Sequence, residues 1–272
     1  MIPRITTCPP CTLMRLLLCF AVLLTTFSVL AQTARTIDIP TRPGVTQRFL
    51  IIAPEKPKAA VILFAGGDGG ITLEADGRIP KLAGNFLVRS SQLFADQGLT
   101  TVVIDAPSDK QSPPYLSGSR QTPEHVADVK AVIAWLRAQT KIPVWLVGTS
   151  RGTQSAGFIA TQLPPAEGGP DGIVLTASVV RDTRTRAVPE MALERVRIPV
   201  LVAHHRQDGC RLCLFSDVPL LMERLTATPR KELIAFDGGI SVGNPCEARA
   251  YHGFNGIERE VVDRIAAWII TP

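Results

Sequence analysis

Short runs of β-branched and aliphatic residues alternate along the chain with longer segments of helical periodicity. This alternation is typical of an α/β fold, in which helices cover both faces of a mostly parallel sheet. Several of the runs are apolar throughout, as expected for strands buried on both faces. We predict eight strands, over residues 36–39, 48–53, 60–65, 100–104, 144–147, 173–176, 200–203 and 232–236.

Helical patterns occupy the intervals between most of these strands. Thr122 followed by Pro123 matches the start of a helix, because threonine caps the N-terminus and proline fits the first turn. The first two strands are joined without a helix, so we expect them to pair antiparallel. Further helices are predicted over residues 85–97, from 151 onward, over 217–226 and over 256–270.

The N-terminal segment has the features of an export signal. Arg4 and Arg15 supply positive charge, residues 16–30 are mostly apolar, and Ala31 precedes a plausible cleavage point. The apolar run is about 15 residues, short of the roughly 20 that a bilayer-spanning helix needs. We therefore predict a signal peptide over residues 1–31, no stable membrane anchor after cleavage, and a periplasmic or secreted domain over residues 32–272.

Composition excludes two classes of protein. With 46% hydrophobic and 19% charged residues, the chain is not a disordered one. The net charge of +5 comes from scattered basic residues, which argues against nucleic-acid binding. Cleavage after Ala31 would leave three cysteines, Cys210, Cys213 and Cys246, which predict one disulfide and one free thiol in an oxidising compartment.

The motif Gly148-Thr149-Ser150-Arg151-Gly152 follows the fifth predicted strand directly. A strand, a tight turn and a helix would force Ser150 into a strained conformation and project its hydroxyl above the sheet. Side chains at Gly148 and Gly152 would collide with the turn, and the N–H of Arg151 would face a developing oxyanion. The pattern predicts a nucleophilic serine, and the alternative is an ordinary glycine-rich turn.

A serine nucleophile needs a base, and the base needs an orienting acid later in the chain. His252 is the one histidine after the eighth strand and is the predicted base. His125 precedes the motif and is expected at the surface. His204 and His205 end the seventh strand and are predicted to be structural.

Three aspartates compete for the role of the acid. Asp208 follows the seventh strand, where the acid is expected, and is the preferred candidate. Asp182, after the sixth strand, is the fallback. Asp217 is expected to cap a helix.

The glycine-rich segment after the third strand is predicted to supply a second oxyanion donor. This oxyanion loop, residues 65–70, reads Ala65-Gly66-Gly67-Asp68-Gly69-Gly70. Glycines let backbone N–H groups approach a substrate oxygen closely, and the donor is either Gly67 or Asp68. A flexible turn is the alternative. A phosphate loop is disfavoured, because no Gly-Lys-Ser/Thr sequence follows.

The cysteine positions suggest a brace between the acid and the base. Cys210 lies two residues after Asp208, and Cys246 lies six residues before His252. A Cys210–Cys246 disulfide would restrict the separation of the two loops. A Cys213–Cys246 pairing remains open.

Two other roles for these cysteines are disfavoured. A redox pair of Cys210 and Cys213 would lack the usual setting at a helix start. A metal cluster of the same cysteines with His204 and His205 matches no common zinc spacing, so no metal is predicted.

The segment between the sixth and seventh strands is short and rich in arginine, which suggests a small cap over an open site. The arginines could favour acidic substrates, although a solvated face is the preferred interpretation. They are Arg181, Arg184, Arg186, Arg195 and Arg197.

The strand count, the motif around Ser150, Asp208 and His252 together resemble the α/β-hydrolase superfamily over most of residues 32–272. The resemblance implies a Ser-Asp-His triad, hydrolysis of a small-molecule ester and no cofactor. Small exported esterase-like and dienelactone-hydrolase-like members are the most similar. The usual His-Gly of the oxyanion loop is replaced by Ala65-Gly66-Gly67, and the cysteine nucleophile of dienelactone hydrolases is replaced by serine. A peptidase, a thioesterase or a binding protein on the same scaffold are the alternatives.

Overall fold

Eight strands form one mixed sheet in the computed structural model, which describes residues 1–4 and 34–271. The strand order across the sheet is β1-β2-β4-β3-β5-β6-β7-β8. All eight predicted strands are confirmed, each within three residues of its predicted bounds. They are β1 (Ala34–Arg42), β2 (Val45–Ile52), β3 (Ala59–Phe64), β4 (Leu99–Ile104), β5 (Val144–Thr149), β6 (Gly172–Thr176), β7 (Val200–His205) and β8 (Lys231–Phe236).

Strand direction divides the sheet into two parts. β1 pairs antiparallel with β2, as predicted, and β2 pairs antiparallel with β4. The remaining neighbours, from β4 through β8, are parallel. The carboxyl ends of these parallel strands therefore meet at one edge, which is where α/β sheets place their ligands.

Within residues 34–271 six α-helices pack on the sheet, and one region departs from its prediction. The single helix expected over 85–97 is two short helices, because the backbone leaves helical geometry at Ser90. The change of direction lets Phe86 and Phe94 both remain fully buried. The helices are α1 (Phe86–Arg89), α2 (Ser91–Asp96), α3 (Pro123–Gln139), α4 (Gly152–Gln162), α5 (Val218–Arg224) and α6 (Glu258–Ile270).

Successive side chains along a strand point to opposite faces of the sheet, where they form two separate hydrophobic cores. Ile62 of β3 packs with α3, α4 and α5 on one face. Its neighbours Val61 and Leu63 pack with α1, α2 and α6 on the other. This period of two is what a strand covered on both sides requires, and it confirms helices on both faces.

The N-terminal prediction falls largely outside the described residues. Of the predicted signal peptide, residues 1–31, only 1–4 are described. Contacts within the chain divide it into two units, Met1–Ala31 and Gln32–Pro272. The second unit contains every strand and helix given above. Among the described residues, no helix combines the length and the apolar character that crossing a membrane would require.

Candidate active site

The turn between β5 and α4, residues 148–152, is held by backbone sterics. We call it the nucleophile turn. Ser150 has a φ of 52°, in the left-handed region that non-glycine residues rarely adopt. A Cβ on Gly148 would lie 2.3 Å from the carbonyl oxygen of Gly152, and a Cβ on Gly152 would lie 2.1 Å from that of Phe64. Both glycines are therefore required, as the sequence predicted.

Ser150 opens onto a cavity at the carboxyl edge of the sheet. Its N–H donates to the Thr176 carbonyl at 3.0 Å, which ties the turn to β6. The cavity has a volume of about 480 Å³ and is lined by Ser150, His252, Arg151 and the start of the oxyanion loop, among others. The structure thus brings the predicted nucleophile and the predicted base to one cavity.

Asp208 and His252 form a buried hydrogen-bonded pair from loops 44 residues apart. His252 Nδ1 lies 2.8 Å from Asp208 Oδ2, and the other carboxylate oxygen accepts the N–H of Cys210 at 2.9 Å. Because Nδ1–H donates to the carboxylate, Nε2 of His252 is left as the acceptor nitrogen. This is the tautomer that a general base needs.

His204 is a further partner of the acid, which the sequence had assigned only a structural role. Its Nε2 lies 2.7 Å from the Cys213 carbonyl and 3.4 Å from Asp208 Oδ2. Burial would raise the pKa of Asp208, but hydrogen bonds from His204 and His252 outweigh it and lower that pKa. The carboxylate therefore stays charged at neutral pH.

The loop that carries His252 is held by two further residues, His205 and Arg89. The ring of His205 stacks on Tyr251, with centroids 4.4 Å apart, and its Nε2 lies 2.9 Å from the Gly238 carbonyl. Arg89 donates to the Gly253 carbonyl at 2.6 Å from the other side. His205 is structural, as predicted, and it supports the residue preceding the base.

A disulfide joins Cys210 to Cys246, one of the two predicted pairings. Cys210 is buried beside Asp208, whereas Cys246 is exposed in the loop before His252. Cys213 is the free thiol of the described residues.

The free thiol of Cys213 lies beside Ser150, the predicted nucleophile. Burial raises its pKa, and the Ser150 side chain is within hydrogen-bonding reach of the sulfur. One ligand atom each of Cys210, Cys213 and His252 lie within 4.8 Å of one another. Since the Cys210 sulfur is bonded to Cys246, this group is not a free set of metal ligands.

The oxyanion loop lies against the nucleophile turn. A Cβ on Gly66 would lie 3.0 Å from the Ser150 Cβ, so the loop and the nucleophile are in direct contact. Asp68 pairs with Lys81, whose Nζ lies 2.6 Å from Oδ2. Gly67 and Asp68 both line the cavity, and the choice between them as donor stays open.

The two alternative acids are engaged elsewhere. Asp182 accepts from Arg151 at 2.7 Å and from Thr185. Burial would raise the pKa of Asp182, but its hydrogen bonds lower it to about 2. Asp217 precedes α5 but makes no side-chain cap hydrogen bond, so the predicted cap is wrong; its carboxylate pairs with Arg181 instead.

The prediction that His125 lies at the surface is also wrong. His125 is 4% exposed and packs edge-on against Phe64, and no group of residues 34–271 forms a hydrogen bond with either of its ring nitrogens. Burial lowers its pKa to about 3. A signal existed: His125 lies at helical spacing from Val129, Val132 and Leu136, which form the buried face of α3.

The segment between β6 and β7, which was predicted to be a small cap, contains two short 3₁₀ turns over residues 188–190 and 193–195. A second cavity of about 500 Å³ is lined by Arg184 and Arg186 of this segment and by Arg120 and Arg151, among others. Arg184 and Arg186 are exposed, as the interpretation of a solvated face expected. Arg120 is buried and was not singled out by the sequence, since it lies in a loop without periodicity.

Structural comparison identifies the architecture. An esterase of Pyrococcus furiosus superposes with a TM-score of 0.63 at 14% identity, over 87% of this chain and 90% of that one. A dienelactone hydrolase from Anabaena variabilis gives 0.61 at 14% identity, over 88% and 97%. The esterase domain of a Rhodothermus marinus protein gives 0.58 at 14% identity, over 88% and 98%.

The chain has the α/β-hydrolase fold. In this fold the sharp turn after β5, the loop after β7 and the loop after β8 occupy one edge of the sheet, and they carry Ser150, Asp208 and His252 in the chain order predicted for nucleophile, acid and base. No protein-family model matches the sequence, and no curated protein sequence is significantly similar to it.

Proposed function

We propose that this α/β-hydrolase is a serine hydrolase that cleaves carboxylic esters through an acyl-enzyme. One observation carries the proposal: Ser150 in its strained conformation and His252, hydrogen-bonded to buried Asp208, line the same cavity. The esterases and the dienelactone hydrolase among the structural neighbours support ester hydrolysis in general.

In the proposed mechanism, the Ser150 hydroxyl attacks the ester carbonyl while Nε2 of His252 accepts its proton. Asp208 keeps the His252 proton on Nδ1 and stabilises the imidazolium that forms. His252 then donates the proton to the leaving alcohol. Water, deprotonated by the same nitrogen, releases the acid and restores the serine.

The negative charge that develops on the carbonyl oxygen needs hydrogen-bond donors. The N–H of Arg151, next to the nucleophile, and the N–H of Gly67 or Asp68 fill this role in the proposal. Each is a backbone group, so no side chain has to reorganise as the charge forms.

Labelling by a fluorophosphonate probe tests the nucleophile. We expect the folded wild-type protein to be labelled and Ser150→Ala to lose the label. Cys213→Ala is the matched control, because it removes the neighbouring thiol and should keep the label. Labelling that survives Ser150→Ala, or folded wild-type protein that takes no label, contradicts the proposal and favours a binding protein.

The class of acyl substrate is tested by turnover. We expect p-nitrophenyl esters to give a higher kcat/KM than matched thioesters or peptide anilides. A preference for the thioester or the anilide would assign the same residues to a thioesterase or a peptidase instead.

We also propose that the chain is exported and cleaved after Ala31. The Cys210–Cys246 disulfide supports an oxidising compartment. N-terminal sequencing of protein from the periplasm or the medium should begin at Gln32. Retention of the first 31 residues, or recovery from the cytoplasm alone, contradicts export.

A further inference from the structure

Arg120 is a buried cation without an ion-pair partner. It is 4% exposed, and no carboxylate of the described residues lies within ion-pairing distance of it. Asp68, which exerts an attraction on it, is paired with Lys81. Burying an uncompensated charge costs free energy, so the groups that the guanidinium contacts must stabilise it.

The hydrogen bonds of Arg120 go almost entirely to the backbone of the oxyanion loop. Its Nη2 lies 2.9 Å from the carbonyl oxygen of Ala65, 3.4 Å from that of Gly66 and 3.2 Å from that of Gly67. Its Nη1 donates to Ser155 Oγ at 2.9 Å. One planar group therefore joins the loop to α4, the helix that follows Ser150.

The direction of these carbonyls determines the direction of the adjacent N–H groups. In a trans peptide the carbonyl and the following N–H point opposite ways, and the cis bond found among the described residues is Pro113-Pro114. Carbonyls of Ala65, Gly66 and Gly67 turned toward Arg120 thus turn the N–H groups of Gly66, Gly67 and Asp68 away from it.

These N–H groups are free to serve a ligand. Within residues 34–271, the N–H groups of Gly67 and Asp68 donate to no other protein group. Both residues line the cavity of Ser150, and Gly66 contacts Ser150 itself. Donors with no internal partner beside a nucleophile are what oxyanion stabilisation requires.

We propose that Arg120 is a positioning residue that holds the oxyanion loop with its N–H groups directed at the carbonyl oxygen of the substrate. The inference rests on the proposed hydrolase function. Arg120 touches no reacting atom; it acts through the peptide groups it binds. Its charge also polarises those peptides, which strengthens their N–H donors toward an oxyanion.

Arginine suits this role better than lysine. Its fork offers donors in fixed directions, so Nη1 and Nη2 can bond Ser155 and the loop at once. Burial and the charge of Arg151 lower the pKa of Arg120 to about 10, so the group stays protonated at neutral pH.

The test compares Arg120→Lys and Arg120→Met with wild type, using Arg137→Met as the matched control. Arg137 also donates to a backbone carbonyl, that of Gly169 at 2.8 Å, but it lies in the last turn of α3 and pairs with Asp171. We measure kcat and KM on a neutral p-nitrophenyl ester, affinity for a trifluoromethyl ketone analogue of its acyl group, and the thermal unfolding midpoint.

We expect Arg120→Lys to lower kcat about 10- to 100-fold and Arg120→Met about 100- to 1000-fold, the range for losing an oxyanion donor. Ketone affinity should fall with kcat, and KM should change less than about threefold, because the donors act mainly in the transition state. Arg137→Met should keep kcat. The unfolding midpoint identifies losses that come only from a damaged fold.

Three outcomes overturn the inference. The first is a folded Arg120 variant that keeps kcat, and the second is a fall in kcat without a fall in ketone affinity. The third is a rise in KM alone for anionic esters, which would make Arg120 a substrate anchor.

If neither Arg120 variant folds, Ser155→Ala, which removes the partner of Nη1, must lower kcat with KM unchanged. Full activity of Ser155→Ala overturns the inference. Wild-type protein that takes no fluorophosphonate label refutes the proposed function instead, so the two failures are distinct.

Discussion

The nucleophile turn and the loops that carry Asp208 and His252 reach their geometry by different physical routes. In the nucleophile turn, contacts between backbone atoms within five residues and with β3 leave room for one conformation. Asp208 and His252, the proposed acid and base, come from loops after β7 and after β8, which we call the acid–base loops. They are joined by a hydrogen bond, a ring stack and a disulfide.

The difference lies in how each region should respond to damage. A turn held by steric exclusion fails when a single atom is added, because there is no space for it. Loops held by several moderate contacts should lose function in steps as contacts are removed one at a time. The predictions that follow test this contrast, from the largest expected effect to the smallest.

Adding one methyl group to the nucleophile turn should abolish activity. The Cβ of Gly152→Ala would meet the Phe64 carbonyl, so the turn must open and Ser150 must move. Gly157→Ala is the control within the same helix, since its Cβ meets only side chains of Met191 and Val188 at 3.4 Å. Fluorophosphonate labelling measures the effect, and normal labelling of Gly152→Ala would show that the turn is not sterically fixed.

Removing the charge of the acid should lower kcat by about 10⁴-fold, because the neutral amide favours the wrong histidine tautomer. The variant is Asp208→Asn, assayed on a p-nitrophenyl ester. Asp182→Asn tests the fallback acid and should cost about tenfold at most, since Asp182 bonds Arg151 and not His252. A larger loss in Asp182→Asn than in Asp208→Asn would reverse the assignment.

Removing the disulfide between the acid–base loops should cause a partial loss of stability and of activity. The double variant Cys210→Ala/Cys246→Ala should lower the free energy of unfolding by about 2–4 kcal/mol, because the crosslink spans a long loop. We expect kcat to fall about tenfold or less, as the Asp208–His252 bond persists. Cys213→Ala keeps the disulfide, so its urea midpoint should lie nearer to that of wild type. A double variant with no activity at all would make the disulfide as indispensable as the glycines.

Buried His125 predicts that stability depends on pH. It packs against Phe64, whose carbonyl limits the nucleophile turn at Gly152, and within residues 34–271 neither of its ring nitrogens has a hydrogen-bond partner. Burial lowers the pKa of His125 from 6.5 to about 3, so between these values the unfolded chain binds more protons than the folded one. Above pH 6.5 His125 therefore does not reduce the free energy of unfolding, and as pH falls from 6.5 toward 3 it reduces this free energy progressively.

The size of this effect follows from the linkage relation. Between pH 7 and pH 5, His125 should cost about 2 kcal/mol of unfolding free energy. Urea unfolding of His125→Leu at the two pH values should show a correspondingly smaller acid loss than wild type. Identical acid losses in the two proteins would mean that His125 does not titrate as its burial requires.

The strands and the nucleophile turn were predictable because their causes are local. An apolar run predicts the strand, and Gly148 and Gly152 after it predict a turn that has no room for side chains at these two positions. Both signals lie within ten residues. His252 and Asp208 were predicted from chain order, and the structure brings them together. The predicted export segment remains a prediction, since most of it lies outside the described residues.

What the sequence did not predict depends on contacts between distant segments. Arg120 has no periodic neighbour to mark it, and its role depends on carbonyls more than 50 residues earlier. The burial of His125 was visible in the spacing of α3, but its position near the start of that helix was taken to indicate a surface residue. The break at Ser90 follows from packing α1 and α2 on the sheet, which no local pattern expresses.

The free thiol of Cys213 has a consequence for how a newly made chain acquires its disulfide. The three cysteines of residues 34–271 can pair in three ways, and Cys210 and Cys213 are three positions apart, whereas Cys210 and Cys246 are 36 positions apart. Short loops close more readily than long ones, so the incorrect Cys210–Cys213 bond should form early and must then be exchanged. The yield of native protein should therefore depend on the disulfide isomerase of the producing cell.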